Sequence, residues 1–144
     1  MMRTFNAQKF QMGRIPPGED LLQSIHEILT NRSIQSGYVW VLGALRNASV
    51  GYFDQKTREY ETISIDEPVE IILCHGNVSL KEGKPFAHLH LSVGKRNGEM
   101  FGGHLETGNE VFVAEVCIAE FDGEAHERLL QPDLDLALWD EMSL

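Results

Sequence analysis

Three of the six histidines lie within one short stretch of the sequence, from Phe86 to Glu106. His88 and His90 occupy alternate positions of an apolar run, and His104 follows a pair of glycines. Alternate residues of a β-strand point to the same side of a sheet, so we expect His88 and His90 to share one face, roughly 7 Å apart at Cα. Neutral imidazoles bind zinc, copper, iron and nickel, which makes the pair a candidate metal site.

The residues before His104 predict a hairpin that joins it to the pair. Asn97-Gly98 is the strongest hairpin-turn signal of the chain. A two-residue loop would turn His104 away, whereas a three-residue loop that ends at Gly98 sets His104 opposite His90 and leucine opposite leucine. We favour the longer loop because glycine suits its left-handed last position. Three histidines with an open fourth position are typical of catalytic-type zinc sites, so we predict Zn²⁺ bound by His88, His90 and His104. The alternative is that these histidines only form the polar face of a half-exposed sheet.

Other polar residues are weaker candidates for the same site. Arg46 lies between apolar runs and could hold a carboxylate, although we favour an ordinary strand-end arginine paired with a nearby acid. Glu82 and Glu106 could hydrogen-bond a ligand imidazole or act as a general base. His75 lies in an apolar run, where we expect a hydrogen-bonded core residue or a partner of the metal ligands.

Composition limits the classes of function. The 144 residues form one ordinary domain, 1–144, with a formal net charge of −10 and no basic run. Phosphate-backbone binding depends on Lys and Arg, so nucleic acid is a doubtful partner. Neither a signal peptide nor a membrane-length apolar stretch is visible, which predicts a cytoplasmic protein that does not bind a membrane. Cys74 and Cys117 lie in apolar runs and are expected to be reduced thiols.

Hydrophobic periodicity predicts the elements that position the histidines. One principal helix is expected over about residues 19–32, with Glu19 and Asp20 in its first turn. Seven or eight strands with short connections predict an α+β fold with a mainly antiparallel sheet. The tail from Glu124 to Leu144 is expected to be an edge strand or a docked end. The strands are predicted at residues 4–15, 38–45, 48–54, 59–65, 69–80, 86–93, 100–106 and 110–122.

Three segments resemble the plants-and-prokaryotes conserved (PPC) domain: GYVWVLGALRNASVGYFD, EPVEIILCHGNVSLKEGKPFAHLHLSV and GEMFGGHLETGNEVFVAEVCI. HLHLSV followed by GGHL, with GNVS upstream, is the most specific part. The resemblance implies a stand-alone prokaryotic member that forms a homotrimer, with a metal, first of all zinc, on His88, His90 and His104. Plant members carry AT-hooks and bind DNA, but this chain lacks an Arg-Gly-Arg core.

Two classes of function are compatible with these observations. One is a metal-dependent enzyme or small-ligand binder that acts on a carboxylate- or carbonyl-bearing compound, because a zinc ion polarises carbonyl groups and acidifies bound water. The other is a DNA-associated regulatory or interaction module in which the metal is structural. The sequence assigns no reaction.

Overall fold

The computed structural model describes residues 2–141, within which the chain forms one helix and ten strands. Eight strands make an antiparallel sheet in the order β1-β8-β2-β5-β6-β7-β3-β4. This confirms the predicted α+β class with a mainly antiparallel sheet. The elements are β1 (Ala7–Ile15), α1 (Leu21–Asn31), β2 (Gly37–Leu45), β3 (Ala48–Asp54), β4 (Glu59–Ile65), β5 (Val69–Lys81), β6 (Lys84–Gly94), β7 (Met100–Leu105), β8 (Val111–Phe121), β9 (Glu127–Gln131) and β10 (Leu136–Leu138).

Helix α1 begins two residues later than the sequence predicts, at Leu21. The carboxylate of Asp20 accepts a 2.9 Å hydrogen bond from the N–H of Gln23, which makes Asp20 the N-cap rather than part of the first turn. Leu21, Ile25 and Leu29 are fully buried and pack the helix onto one face of the sheet. The helix therefore covers the core face. The opposite face, which we call the outer face, carries polar side chains together with exposed apolar ones.

A bulge in β5 changes which of its residues reach the core. The register against β6 shifts between Ile71 and Leu73, so Ile71 and Cys74 are both buried although they are three residues apart. His75 is consequently turned to the outer face and is half-buried. Of the two positions predicted for His75, the core position is therefore wrong, since an unbroken apolar run gives no sign of a bulge. The other alternative, a partner of the metal ligands, stays a prediction.

The C-terminal tail forms two short strands. Strand β9 pairs in parallel with the end of β5, with Leu80 opposite Glu127 and Lys81 opposite Arg128, and β10 folds back onto β9. The tail therefore docks against the sheet, one of the two arrangements that the sequence predicts. Residues 142–144 of the predicted tail lie outside the described residues.

Two further expectations concern the thiols and the membrane. Cys74 is buried and Cys117 half-buried, and neither is in a disulfide bond. Burial raises the pKa of the Cys74 thiol to about 12, which keeps it protonated and unreactive. Within residues 2–141, the structure contains no helix that is both long and apolar enough to cross a membrane.

Candidate metal centre

Strand β6 presents two histidines on the outer face. Leu89 and Leu91 point into the core and are almost completely buried, whereas His88 is half-buried and His90 exposed on the other side. This is the alternation that the sequence predicts for residues two apart on a strand. The leucines anchor the strand, and the anchored backbone holds the two imidazoles side by side.

The turn between β6 and β7 has the three-residue loop that we favoured from the sequence. The N–H of Lys95 donates to the carbonyl of Glu99 and the N–H of Gly98 to the carbonyl of Lys95, both over 2.9 Å. Gly98 has a φ of +86°, the left-handed conformation that this loop requires. As a result, His104 pairs directly with His90 and points to the same face.

The three imidazoles converge. Ring centroids are 5.1 Å apart for His88 and His104, 5.5 Å for His88 and His90, and 5.9 Å for His90 and His104. One ring nitrogen from each residue lies within 4.8 Å of the other two. Two nitrogens on a tetrahedral zinc ion, each at about 2.0–2.1 Å from it, are about 3.3–3.4 Å apart. The nitrogens of the cluster therefore need to approach one another by no more than about 1.5 Å to hold one ion, which rotation of the side chains can supply.

Burial keeps two of these rings neutral. It lowers the pKa of His88 to about 4, helped by the positive charge of Arg128 and by the neighbouring imidazoles. Burial and the proximity of His90 also lower the pKa of His104, partly offset by the carboxylate of Glu106. A metal ion binds only the neutral imidazole, so both rings are ready to bind one at neutral pH.

The cluster continues a row of paired residues across the outer face. His75 on β5 lies opposite His90, and the hydroxyl of Tyr38 makes a short hydrogen bond with Nδ1 of His75. Asn77, two residues along β5, lies opposite His88. The cluster therefore has polar neighbours on β5. The whole row of paired residues crosses the sheet from β1 to β7 and consists of Met12, Cys117, Trp40, His75, His90 and His104.

The docked tail adds a residue that sequence reasoning missed. Arg128 of β9 is 7% exposed, and its Nη2 donates to Nδ1 of His88 over 3.1 Å and to Oδ1 of Asn77 over 2.8 Å. Its Nε donates to Oγ of Ser79 over 3.0 Å. No local pattern in ERLLQ marks this arginine, because only the parallel pairing of β9 with β5 brings it to the cluster.

A cavity of about 270 Å³ lies beside the cluster. His88, His104 and Arg128 contribute to one side of it, and the tail closes another side through β10. The ring of Tyr60 stands 5.5 Å from that of His104. The remaining lining residues are Lys81, Phe86, Asp135, Leu136, Ala137 and Leu138.

Of the three candidate partner residues, Glu106 is the one near the cluster. It follows His104 by two residues, and its Oε2 accepts a 2.9 Å hydrogen bond from the hydroxyl of Thr62. Gly51, the partner of His104 on β3, makes room for it, since a Cβ at that position would overlap the Glu106 carboxylate. The negative charge of Glu106 raises the pKa of His104 and so offsets part of the lowering that burial causes.

Arg46 and Glu82 do not reach the histidines, which corrects the roles suggested for them. The Arg46 guanidinium pairs with Glu110 at 3.0 Å, at the far end of β2. Leu45 pairs with Val69, eight residues before Asn77 on β5, so roughly 25 Å of strand separates Arg46 from His88. Glu82 is exposed in the turn between β5 and β6, with a φ of +54°. The structure agrees instead with the other prediction for Arg46, a strand-end arginine paired with an acid, here Glu110.

A buried ring nitrogen of His104 also indicates that these residues suit a metal ion. Nδ1 of His104 is buried and, among residues 2–141, has no hydrogen-bond partner. A buried nitrogen without a partner is costly, and an ion held by the cluster would remove that cost if the nitrogen ligated it. Gly103, directly before His104, permits close packing of the strands, since a Cβ there would meet the carbonyl oxygen of Gly51 at 2.5 Å.

Residues 2–122 match the sequence profile of the family described as the Plants and Prokaryotes Conserved (PCC) domain. A PPC protein of known structure from Pyrococcus horikoshii is 39% identical, with a TM-score of 0.94, over 100% of this chain and 99% of its own. The metal-containing protein AF0104 from Archaeoglobus fulgidus is 40% identical, with a TM-score of 0.92, over 98% of this chain and 99% of its own.

Curated relatives are much longer than this chain. The bifunctional protein GlmU of Synechococcus sp. (strain JA-3-3Ab) is 32% identical over 109 residues, which is 74% of this chain and 16% of that protein. The chain thus spans less than a fifth of the length of the curated relatives that it matches.

Proposed function

Because the chain belongs to the Plants and Prokaryotes Conserved domain family, we propose that it is a metal-binding protein in which His88, His90 and His104 hold a zinc ion. We further propose that the ion serves to bind or transform a small carboxylate- or carbonyl-bearing compound in the adjoining cavity. The observation that carries the proposal is the convergence of three ring nitrogens within 4.8 Å of one another at the edge of that cavity.

The ligand set supports zinc in particular. Three imidazole nitrogens leave a fourth position of the tetrahedral ion open, which is the arrangement of catalytic zinc sites, whereas structural sites are closed by four protein ligands. The archaeal relative at 40% identity is a metal-containing protein, which supports a metal site in this chain. When bound, zinc would supply polarisation of a carbonyl group or a water of lowered pKa.

The chain's own residues would orient such a ligand. Glu106 lies close enough to His104 to influence its charge and could accept a proton within the site. Tyr60 stands over the other side of His104 and limits the width of the cavity. These are the residues that would select the ligand's shape and position its reacting group.

Metal content tests the proposal. Wild-type protein offered excess zinc and then dialysed should retain about one ion per chain, and H88A/H90A should retain almost none. H126A, which removes a histidine outside the cluster, is the matched control and should retain as much as wild type. A wild-type sample that holds no more zinc than the double variant would refute the site.

We also propose that the protein is a homotrimer, as the family resemblance implies. The outer face exposes apolar side chains that a second copy could cover: Leu42 is 60% exposed, Leu73 46% and Met12 83%. Large apolar side chains exposed on one face are typical of an interface. Light scattering should give about three times the chain mass of 16.2 kDa, and L42D/L73D should reduce it to one. L130D, on β9, should leave the mass unchanged; a wild-type monomer would refute the trimer.

A further inference from the structure

Arg128 is a buried cation that forms no ion pair with an acidic residue among residues 2–141. The groups that accept its hydrogen bonds are neutral: Ser79, Asn77, His88 and the carbonyl of Ala137. The aromatic rings of Phe86 and Trp139 lie 5.6 Å and 5.2 Å from its guanidinium carbon. Burying a guanidinium without an anion is costly, so this position favours an anionic ligand.

The hydrogen bond between Arg128 and His88 conflicts with metal binding. A guanidinium can only donate, so Nδ1 of His88 must accept and carries no proton. The proton of the neutral ring is then on Nε2, so the only free lone pair of the ring is on Nδ1. That lone pair already accepts the N–H of Arg128. A metal at Nδ1 would displace the N–H of Arg128. A metal at Nε2 would move the proton to Nδ1, where it would face that N–H. In both cases the 3.1 Å contact is lost.

The released guanidinium N–H lies at the wall of the 270 Å³ cavity. Lys81 lines the same cavity, with its Nζ 5.3 Å from the centre of the Phe86 ring, so two cations lie against one aromatic side chain. Asp135 also lines the cavity, so its lining carries two cations and one carboxylate, a net positive charge in a chain whose net charge is −10. A carboxylate matches the planar donor pair of a guanidinium better than a carbonyl or hydroxyl group does.

We propose that Arg128 exchanges partners: it holds His88 in the metal-free protein and binds the carboxylate of a small organic acid when the cluster holds zinc. The inference rests on the proposed zinc site and names the class of ligand for it. Since Arg128 touches His88, a carboxylate on Arg128 would lie next to the ion, and an oxygen on the adjacent carbon would point towards it. The preferred ligands are therefore small 2-oxo or 2-hydroxy acids.

Exchange of partners makes the two binding events cooperative. Zinc frees Arg128 for the carboxylate, and the carboxylate draws Arg128 away from His88, so each should raise the affinity for the other by the same factor. Calorimetric titration of wild-type protein with pyruvate, with and without bound zinc, measures this factor. We expect pyruvate to bind the zinc-loaded protein at least about tenfold more tightly, as a charge-assisted pair predicts. Acetone, which lacks the carboxylate, should bind at least about tenfold more weakly than pyruvate.

The variant R128Q isolates the arginine. It should bind zinc at least as tightly as wild type, because the competing donor to His88 is weaker, but bind pyruvate at least about tenfold more weakly. R46Q is the matched control, since Arg46 is an arginine remote from the cluster, and it should behave as wild type. Equal pyruvate affinity in zinc-loaded R128Q and wild type would overturn the inference, as would the same pyruvate affinity for wild type with and without zinc.

The two proposals fail differently. If wild-type protein binds no zinc, the proposed site itself is refuted. If it binds zinc but shows no carboxylate dependence on Arg128, only the exchange of partners is refuted. Should R128Q not fold, as judged by circular dichroism, R128K takes its place, since a lysine lacks the planar donor pair that matches a carboxylate. Equal pyruvate affinity in zinc-loaded R128K and wild type would then overturn the inference.

Discussion

Gly76 makes the approach of β5 to β6 possible, and its replacement should disturb both the fold and the metal site. The residue pairs with Leu89, next to His88. A Cβ at Gly76 would lie 2.9 Å from the backbone Cα of Leu89 and 2.9 Å from the carbonyl carbon of His88, with the carbonyl oxygen closer still. These atoms belong to the backbone of a central strand, so they cannot rotate away. The substitution G76A must push the two strands apart.

The cost of G76A follows from the overlap. Carbon atoms in contact are normally about 3.5–4.0 Å apart, so the strands must separate by about 1 Å or lose their hydrogen bonds locally. Overpacking costs typically about 1–3 kcal/mol, and the loss of a hydrogen bond in the strand ladder adds about 1 kcal/mol. We expect the free energy of unfolding to fall by about 3 kcal/mol. The displacement of His88 should also weaken zinc binding by at least about tenfold.

Urea denaturation of metal-free G76A and competition for zinc with a chelator measure the two effects. The control is G13A on β1, where a Cβ would meet no atom within 4 Å. G13A should change the free energy of unfolding by less than about 0.5 kcal/mol. A G76A protein as stable as G13A, with wild-type zinc affinity, would refute the close approach and the positioning of His88 that depends on it.

Three further results are expected. The Nε2 of His26 accepts a 3.2 Å hydrogen bond from the N–H of Ala87, and burial lowers the pKa of this histidine. The stability that the neutral ring contributes is therefore complete above the ordinary histidine pKa of about 6.5, and it is lost as the pH falls below that value. The urea midpoint should therefore decline less between pH 7 and pH 5 in H26Q than in wild type, and equal declines would contradict this. In C117S, the remaining thiol of Cys74 should resist a thiol reagent until urea unfolds the protein, because burial raises its pKa to about 12. Fluorescence anisotropy with a short DNA duplex should show weak binding with a flat dependence on salt; a steep negative slope would instead favour the DNA-associated alternative.

The hairpin could be predicted from the sequence because its determinants are local. Alternation fixes the face of His88 and His90, and Gly98 fixes the length of the loop that brings His104 beside them. Each of these rules acts over a few residues. The helix was likewise predictable, apart from its first two residues, since a capping aspartate and a first-turn aspartate look alike in sequence.

The surroundings of the cluster could not be predicted because they depend on contacts between distant segments. Arg128 reaches His88 only because the tail pairs with β5, and the two residues are 40 positions apart. A position between apolar runs does not decide whether Arg46 belongs to the site or only pairs with an acid at a strand end. The register of β2 decides it, because it places Arg46 beside Glu110 at the other end of the sheet. The sequence leaves a core position open for His75, which lies on the outer face, because the bulge in β5 is invisible in an apolar run.

The most direct test of the central claim is a crystal structure of zinc-loaded protein with anomalous data on both sides of the zinc absorption edge. We expect one zinc ion per chain, with nitrogens of His88, His90 and His104 at about 2.0–2.1 Å and a non-protein ligand in the fourth position. Arg128 should no longer contact Nδ1 of His88. Zinc bound elsewhere, or a site closed by a fourth protein ligand, would contradict an open three-histidine centre.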